Sequence, residues 1–298
     1  MAFVKMHKNF LLLAVLLFLF SSAGCGKKEP TQQPVIQKKT QLDEEIERNK
    51  KRLELDPNDA AAYTTLGLLY EEKGMLDESL AAFRQASKLN PSDAEPLVGQ
   101  GNILNKKGDS DKAVSVFKKA LDLDPYNAEA HEGMGLVYVH KGMSEDAIKS
   151  FQRALGLNSG LINSKYNLGI LYAKEGKFDE AISEWEKAIE ISPKKTEIHY
   201  NLGIAYTKVG DLDAAIAVWQ KALEVNPAMP TFYYTIGLVY KEKGDFDNAI
   251  ASLESALEID SYFADAHKIL EEIYRAKGMP GEADRHGELY KNLSSPHH

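Results

Sequence analysis

Eight histidines and one cysteine are the side chains of this 298-residue chain most able to hold a metal or act as a nucleophile. His131, His199 and His267 recur at intervals of 68 residues. On a regular repeat that interval strings them along the molecule, whereas a metal needs its ligands to converge on one point. They read as packing residues, and His297 and His298 as a tail or tag remnant. No phosphate loop, dinucleotide fingerprint, His-Glu-x-x-His or Gly-x-Ser-x-Gly occurs. The sequence therefore predicts a non-catalytic protein without metal or cofactor. The polar residues that do recur are Tyr166-Asn167 and Tyr200-Asn201, each followed by Leu-Gly, with Tyr234 one interval later. Tyrosine offers a rigid contact area with a polar tip, and an asparagine amide both donates and accepts, so the pair suits a polypeptide held by its main chain.

The elements that carry these pairs repeat every 34 residues. Gly67, Gly101, Gly135, Gly169, Gly203 and Gly237 form one lattice, and Gly74, Gly108, Gly142, Gly176, Gly210, Gly244 and Gly278 a second, together 13 of the 21 glycines. A third runs Ala113, Ala147, Ala181, Ala215, Ala249 and Ala283, with Ser79 first, and a fourth from Ala86 to Ala256. Between them recur Phe83, Phe117, Phe151, Trp185, Trp219 and Leu253. Leu168, Gly169 and Tyr172 at i, i+1 and i+4, and Ala181, Trp185 and Ala188 at i, i+4 and i+7, give each half an apolar face and predict two amphipathic helices per copy, A and B. The second glycine lattice ends helix A in the left-handed conformation that a Cβ disfavours. Asp77, Asp111, Asp179, Asp213 and Asp247 are expected just before helix B, capping its free amides. Pro57, Pro91, Pro125, Pro193 and Pro227 close the copies. Gly169 and Ala181, with their equivalents such as Ala215, read as the points where the helices approach most closely.

This pattern resembles the tetratricopeptide repeat, a 34-residue helix-turn-helix unit with Trp-x2-Leu-Gly-x2-Tyr in helix A, then alanine, an aromatic, alanine and proline. Six copies fill residues 60–263, and a seventh, divergent copy at 264–293 carries Glu271 for the helix A glycine and Gly287 for the aromatic. It reads as a cap, because a terminal repeat turns one face to water. Residues 42–57 read as an N-terminal capping half-repeat and 294–298 as a disordered tail. The resemblance implies an all-α solenoid, a right-handed superhelix whose concave groove is walled by the A helices. It also implies that A-helix positions 2, 5, 6, 9, 12 and 13 face the groove, counting Ala60 as position one. Tyr166, Tyr200 and Tyr234 then stand at position five and Asn167 and Asn201 at position six, with Asn102, Lys174 and Lys208 also on the wall. The clamp that some relatives close on a carboxylate terminus is incomplete here, since Val98 stands beside Asn102 and Glu272 beside Lys268.

The first forty residues differ in kind. Lys5 and Lys8 precede an apolar run from Phe10 to Phe20, then small residues and Cys25. Eleven apolar residues are too few to span a bilayer, which needs about 20. The stretch reads as a signal peptide over residues 1–24. The cysteine directly after Ser-Ala-Gly resembles the lipobox of bacterial lipoproteins, with Ser22 in place of the usual leucine. That resemblance implies a lipidated Cys25 and a membrane lipid anchor, and residues 25–41 read as a flexible tether. Cleavage would take the formal charge from −8 to −10. An acidic surface with interspersed lysines excludes phosphate-rich nucleic acid as a natural partner.

These readings combine into an adaptor lipoprotein of a bacterial envelope. It faces the periplasm, and Gly26 after the cysteine leans toward the outer membrane by resemblance to enterobacterial sorting. The groove is expected to bind an extended peptide or protein partner, for example in secretin or pilus assembly or in docking a cell-wall hydrolase. The alternative is a glycan-binding component of exopolysaccharide assembly or export, with sugars stacked on the tyrosine row.

Overall fold

Helix pairs at the predicted interval build the chain. The computed structural model describes residues 33–295, with side chains from residue 41. Cys25, the signal segment, the start of the tether and the terminal histidines lie outside the described residues. The chain divides into two units, Met1–Arg48 and Asn49–His298. The described part of the first belongs to α1 (Gln33–Leu55), which begins inside the stretch read as a tether. The physical reason is local: no glycine or proline interrupts residues 35–55, and Pro34 sits in the first turn, where a missing N–H forfeits no intrahelical bond.

The second unit alternates helices A and B. The A helices are α2 (Ala60–Glu72), α4 (Glu95–Lys106), α6 (Ala128–His140), α8 (Ile162–Lys174), α10 (Thr196–Val209), α12 (Pro230–Glu242) and α14 (Ala264–Ala276). The B helices are α3 (Leu76–Leu89), α5 (Ser110–Leu123), α7 (Ser144–Leu157), α9 (Phe178–Ile191), α11 (Leu212–Val225), α13 (Phe246–Ile259) and α15 (Pro280–Ser294). No strand occurs among the described residues. Each A helix packs on its own B helix and each B helix on the next A helix, an all-α solenoid. Successive A helices also touch one another, as α2 does α4, α4 does α6 and α8 does α10, while successive B helices approach less closely. The A helices therefore line one side of the stack as a wall, closest at α2–α4, α4–α6, α8–α10 and α12–α14.

The helix ends follow the sequence with one correction. All seven glycines of the second lattice have φ between +71° and +89°. The aspartates do not cap helix B: Asp77, Asp111, Asp179, Asp213 and Asp247 sit one residue inside it. The capping carboxylates are Asp211 and Asp245, which accept from the amides of Ala214 and Asn248. One residue inside the helix, a carboxylate still faces the positive dipole end but points outward. There four of the five meet a lysine 30 residues on: Asp77 with Lys107 at 2.5 Å, and Asp111 with Lys141, Asp213 with Lys243 and Asp247 with Lys277.

Packing turns on the small residues. The alanines of both lattices are fully buried, as is Ser79, whose hydroxyl donates to the Gly67 carbonyl at 2.7 Å. A Cβ on Gly67, Gly101 or Gly135 would stand 2.6 Å from the phenyl ring of Phe83, Phe117 or Phe151 of the same copy. On Gly169 and Gly203 it would strike the indoles of Trp185 and Trp219 at 2.5 and 2.2 Å, and on Gly237 it would meet Leu253 at 2.8 Å. Each glycine is the seat of one large B-helix side chain. In the seventh copy the exchange is reciprocal: Gly287 leaves room for the carboxylate of Glu271, 2.9 Å from a Cβ built there. Two residues that look like separate departures in sequence compensate each other in space.

Candidate functional site

Leu-Gly after the Tyr-Asn pair seats an indole, and the tyrosine completes that contact. Trp185 Nε1–H donates to the Tyr166 carbonyl at 3.1 Å, and Trp219 Nε1–H to the Tyr200 carbonyl at 3.3 Å. A buried indole needs such an acceptor. The side chains then reach to the following copy. Asn201 Nδ2 donates to the Tyr166 hydroxyl at 3.1 Å, while Asn167 Nδ2 turns back to the Asn163 carbonyl of its own helix at 2.8 Å. Tyr200 meets Phe232 edge to face at 6.0 Å, and Tyr234 lies tilted against Phe263 at 4.9 Å. All three tyrosines are half-buried. Burial pushes their hydroxyls above the usual phenol range; the Asn201 hydrogen bond opposes the shift at Tyr166, and Asp265 and Glu272 reinforce it at Tyr234.

The Tyr166–Asn201 bond is one of several that stitch neighbouring copies together along the wall. Lys106 pairs with Glu71 at 2.8 Å, His140 Nδ1 donates to Asn105 at 2.8 Å, and Ser164 donates to Glu132 at 2.8 Å. Position six does not uniformly face outward. Gly99 and Gly133 are buried, and each would drive a Cβ into the phenyl ring of the preceding copy, at 2.5 Å from Phe83 and 2.3 Å from Phe117. Of the remaining candidates, Lys174 is exposed, and Lys208 and Asn102 are half-buried. They lie in different copies and form no common cluster.

Sequence reasoning passed over the row at position nine. Leu68, Leu136, Ile170, Ile204 and Leu238 repeat at 34 residues, interrupted by Asn102. Leu68 is 49% and Ile170 37% exposed, large for aliphatic side chains at the middle of a packed helix. Their regular interval was a sufficient signal, obscured by the more conspicuous tyrosines. Among the described residues no three histidine, cysteine, aspartate or glutamate side chains gather where they could hold a metal. His131 lies 3.3 Å from the Pro125 carbonyl and His199 3.1 Å from that of Lys195, whereas His267 meets His286 of α15, Nδ1 to Nδ1, at 2.8 Å.

Comparison with known proteins places this geometry. Family models described as "TPR repeat" match residues 101–142, 171–210 and 205–244, and models described as "Tetratricopeptide repeat" match 60–93, 128–160 and 230–263. The crystal structure of YrrB, described as a TPR protein with an unusual peptide-binding site, is 29% identical, with TM-score 0.56 over 62% of this chain and 95% of its own. A structure of MamA is 27% identical, with TM-score 0.52 over 54% of this chain and 94% of its own. PilF of Pseudomonas aeruginosa, at 18% identity, shares the fold with TM-score 0.54 over 67% and 91%. No curated protein matches the chain.

Proposed function

The chain belongs to the tetratricopeptide repeat family, and on that premise we propose that it is a non-catalytic adaptor that holds a protein partner on its A-helix wall, tethered to a bacterial envelope membrane through Cys25. One observation carries the reading: the wall repeats an aliphatic side chain at position nine, with Leu68 and Ile170 exposed and Leu136, Ile204 and Leu238 half-buried. A folded chain gains by burying such residues, so a maintained row of them marks a contact surface. YrrB, the 29% identical relative with a peptide-binding site, supports the same use of the fold. A protein ligand is favoured over a glycan because the tyrosine row is half-buried, with Tyr200 and Tyr234 set against Phe232 and Phe263.

The anchor rests on Cys25 as the only thiol, standing at a signal-peptide boundary. Periplasmic localisation, and the outer membrane in particular, follow from that same boundary. Photo-crosslinkers placed at Ile170 on the wall and at Lys187 on the outer face of α9 test the reading in the native cell. Crosslinks to a protein from Ile170 and not from Lys187 are expected; equal yields from both would overturn the wall as the contact surface. Cys25→Ser should release the protein from the membrane fraction, and retention of the variant without acyl label in the wild type would remove the anchor.

A further inference from the structure

The layout of the wall specifies the form of its occupant, an inference that rests on the adaptor reading above. Three rows cross the A helices in order. Position two carries Glu95, Glu129 and Glu197, all exposed, with the neutral Asn163 and Thr231 in copies four and six; position nine carries the aliphatic row; position thirteen carries Lys106, Lys174 and Lys208, with His140 in copy three and with Glu72 and Glu242 at the same position in copies one and six. At ~3.6 residues per turn these positions lie within about 40° of one another around the helix, so they share one face. Eleven residues part the outer rows, about 16 Å at ~1.5 Å per residue. Acids in the first turn and lysines in the last also complement the helix dipoles, which accounts for the residue types. Their placement has a separate consequence for a visitor. Within the described residues Glu129, Glu197, Lys174 and Lys208 take part in no ion pair, so their charges remain to be met from outside.

An extended strand points its side chains in two opposite directions only, so it can address either the aliphatic row or the two charged edges, but not all three at once. A helix is about 10–12 Å across with its side chains and presents three directions at once. We propose that the occupant of copies three to six is an amphipathic α-helix of a partner protein. Its apolar stripe lies on Leu136, Ile170, Ile204 and Leu238, its acidic flank faces Lys174 and Lys208, and its basic flank faces Glu129 and Glu197. Four rungs on helices about 8–10 Å apart span roughly 24–30 Å. That is a helix of about sixteen to twenty residues. Turning a helix end for end exchanges its flanks, so the two charged rows also fix the direction in which it lies.

The test uses the full chain and fluorescein-labelled synthetic helices of about eighteen residues with a leucine stripe. One carries glutamates on one flank and lysines on the other; a second has the same composition with a central proline; a third has lysines on both flanks. Fluorescence anisotropy should show the two-sided helix binding at least about tenfold more tightly than either control. Ile170→Asp, at an exposed position, should abolish binding without changing the circular dichroism melt. Lys174→Glu with Lys208→Glu should reverse the preference toward the all-lysine helix. If the proline peptide binds as well as the helix and is lost in Ile170→Asp, the wall takes an extended chain, and this inference falls while the adaptor reading stands. If the all-lysine helix binds as tightly as the two-sided one, the charge argument fails. If neither the helical nor the proline peptide binds, both readings fail.

Discussion

Trp185 and Trp219 account for residues that otherwise look like ligand contacts. Each indole fills the space above a glycine and donates to a tyrosine carbonyl, so Tyr-Asn-Leu-Gly recurs in the two copies that use tryptophan where others use phenylalanine or leucine. Gly203→Ala should therefore destabilise by about 1–3 kcal/mol through overpacking, and Trp219→Ala by about 3–5 kcal/mol through an unfilled cavity, both read from urea melts. Tyr166→Ala and Tyr200→Ala would confound packing with binding, because both rings lie against the core of their own junctions. Exposed Ile170 and Lys174 report binding more cleanly. This division was only partly legible in the sequence: a 34-residue interval gives each residue's register, but whether Tyr166 points to solvent or to Asn201 depends on the next copy. The histidines show the same limit. His267 occupies the position of Tyr63 and Tyr233, yet it meets buried His286, which no interval announces. Tyr274 stacks on His286 with centroids 5.6 Å apart. Burial lowers both imidazoles from the ordinary 6.5; their proximity to each other adds to the shift at His286, Arg285 lowers both, and the Ser261 backbone at His267 and Glu282 at His286 oppose it. Two neutral rings share one Nδ1 proton, whereas two charged rings would oppose donor to donor. The folded values lie below the unfolded one, so this stabilisation is complete above about pH 6.5 and is lost as pH falls through the folded values. Hydrogen exchange in α14 and α15 should accelerate between about pH 7 and 5 relative to the middle copies, after correction for intrinsic rates. His267→Tyr with His286→Leu should remove the difference; an unchanged profile in that variant would place the acid sensitivity elsewhere.

Between elements, the ladder of Asp-Lys pairs joins each first turn of helix B to the end of the following helix A. It has rungs at the junctions of copies one and two, two and three, five and six, and six and seven. In the middle it stops. Glu145 and Glu175 occupy the third junction, where they line one cleft with Lys177, itself paired to Glu175 at 2.8 Å, and Asp179 faces Val209 at the fourth. The aspartate lattice was plain in the sequence, but its function was not, because capping depends on a shift of two residues that periodicity cannot resolve. Val209→Lys should add the missing rung. Exposed pairs contribute about 0.2–1 kcal/mol and are screened by salt. A rise in melting temperature at low ionic strength that disappears at about 1 M salt would identify the rung. A rise independent of salt would instead point to helix propensity or burial at position 209.

Among the described residues of the second unit, helix packing joins each copy to its neighbours in sequence. Stability in such an array is close to a sum of local terms and nearest-neighbour interfaces, so damage at one junction need not spread. The polar links along the wall obey the same rule, since each of the bonds Lys106–Glu71, His140–Asn105, Ser164–Glu132 and Asn201–Tyr166 joins adjacent copies. The consequence can be read by native-state hydrogen exchange on Gly203→Leu. A leucine there drives several atoms into the Trp219 indole, which already stands 2.2 Å from a Cβ built on that glycine. The seats on either side, Gly169 with Trp185 and Gly237 with Leu253, feel it only through shared interfaces. Protection should fall most in α10 and α11, less in α9 and α12, and stay near wild type in α2 to α5. Equal loss of protection from α2 to α15 would show that the copies fold as one cooperative body, in which case the junction-by-junction account of both stability and the wall would have to be abandoned.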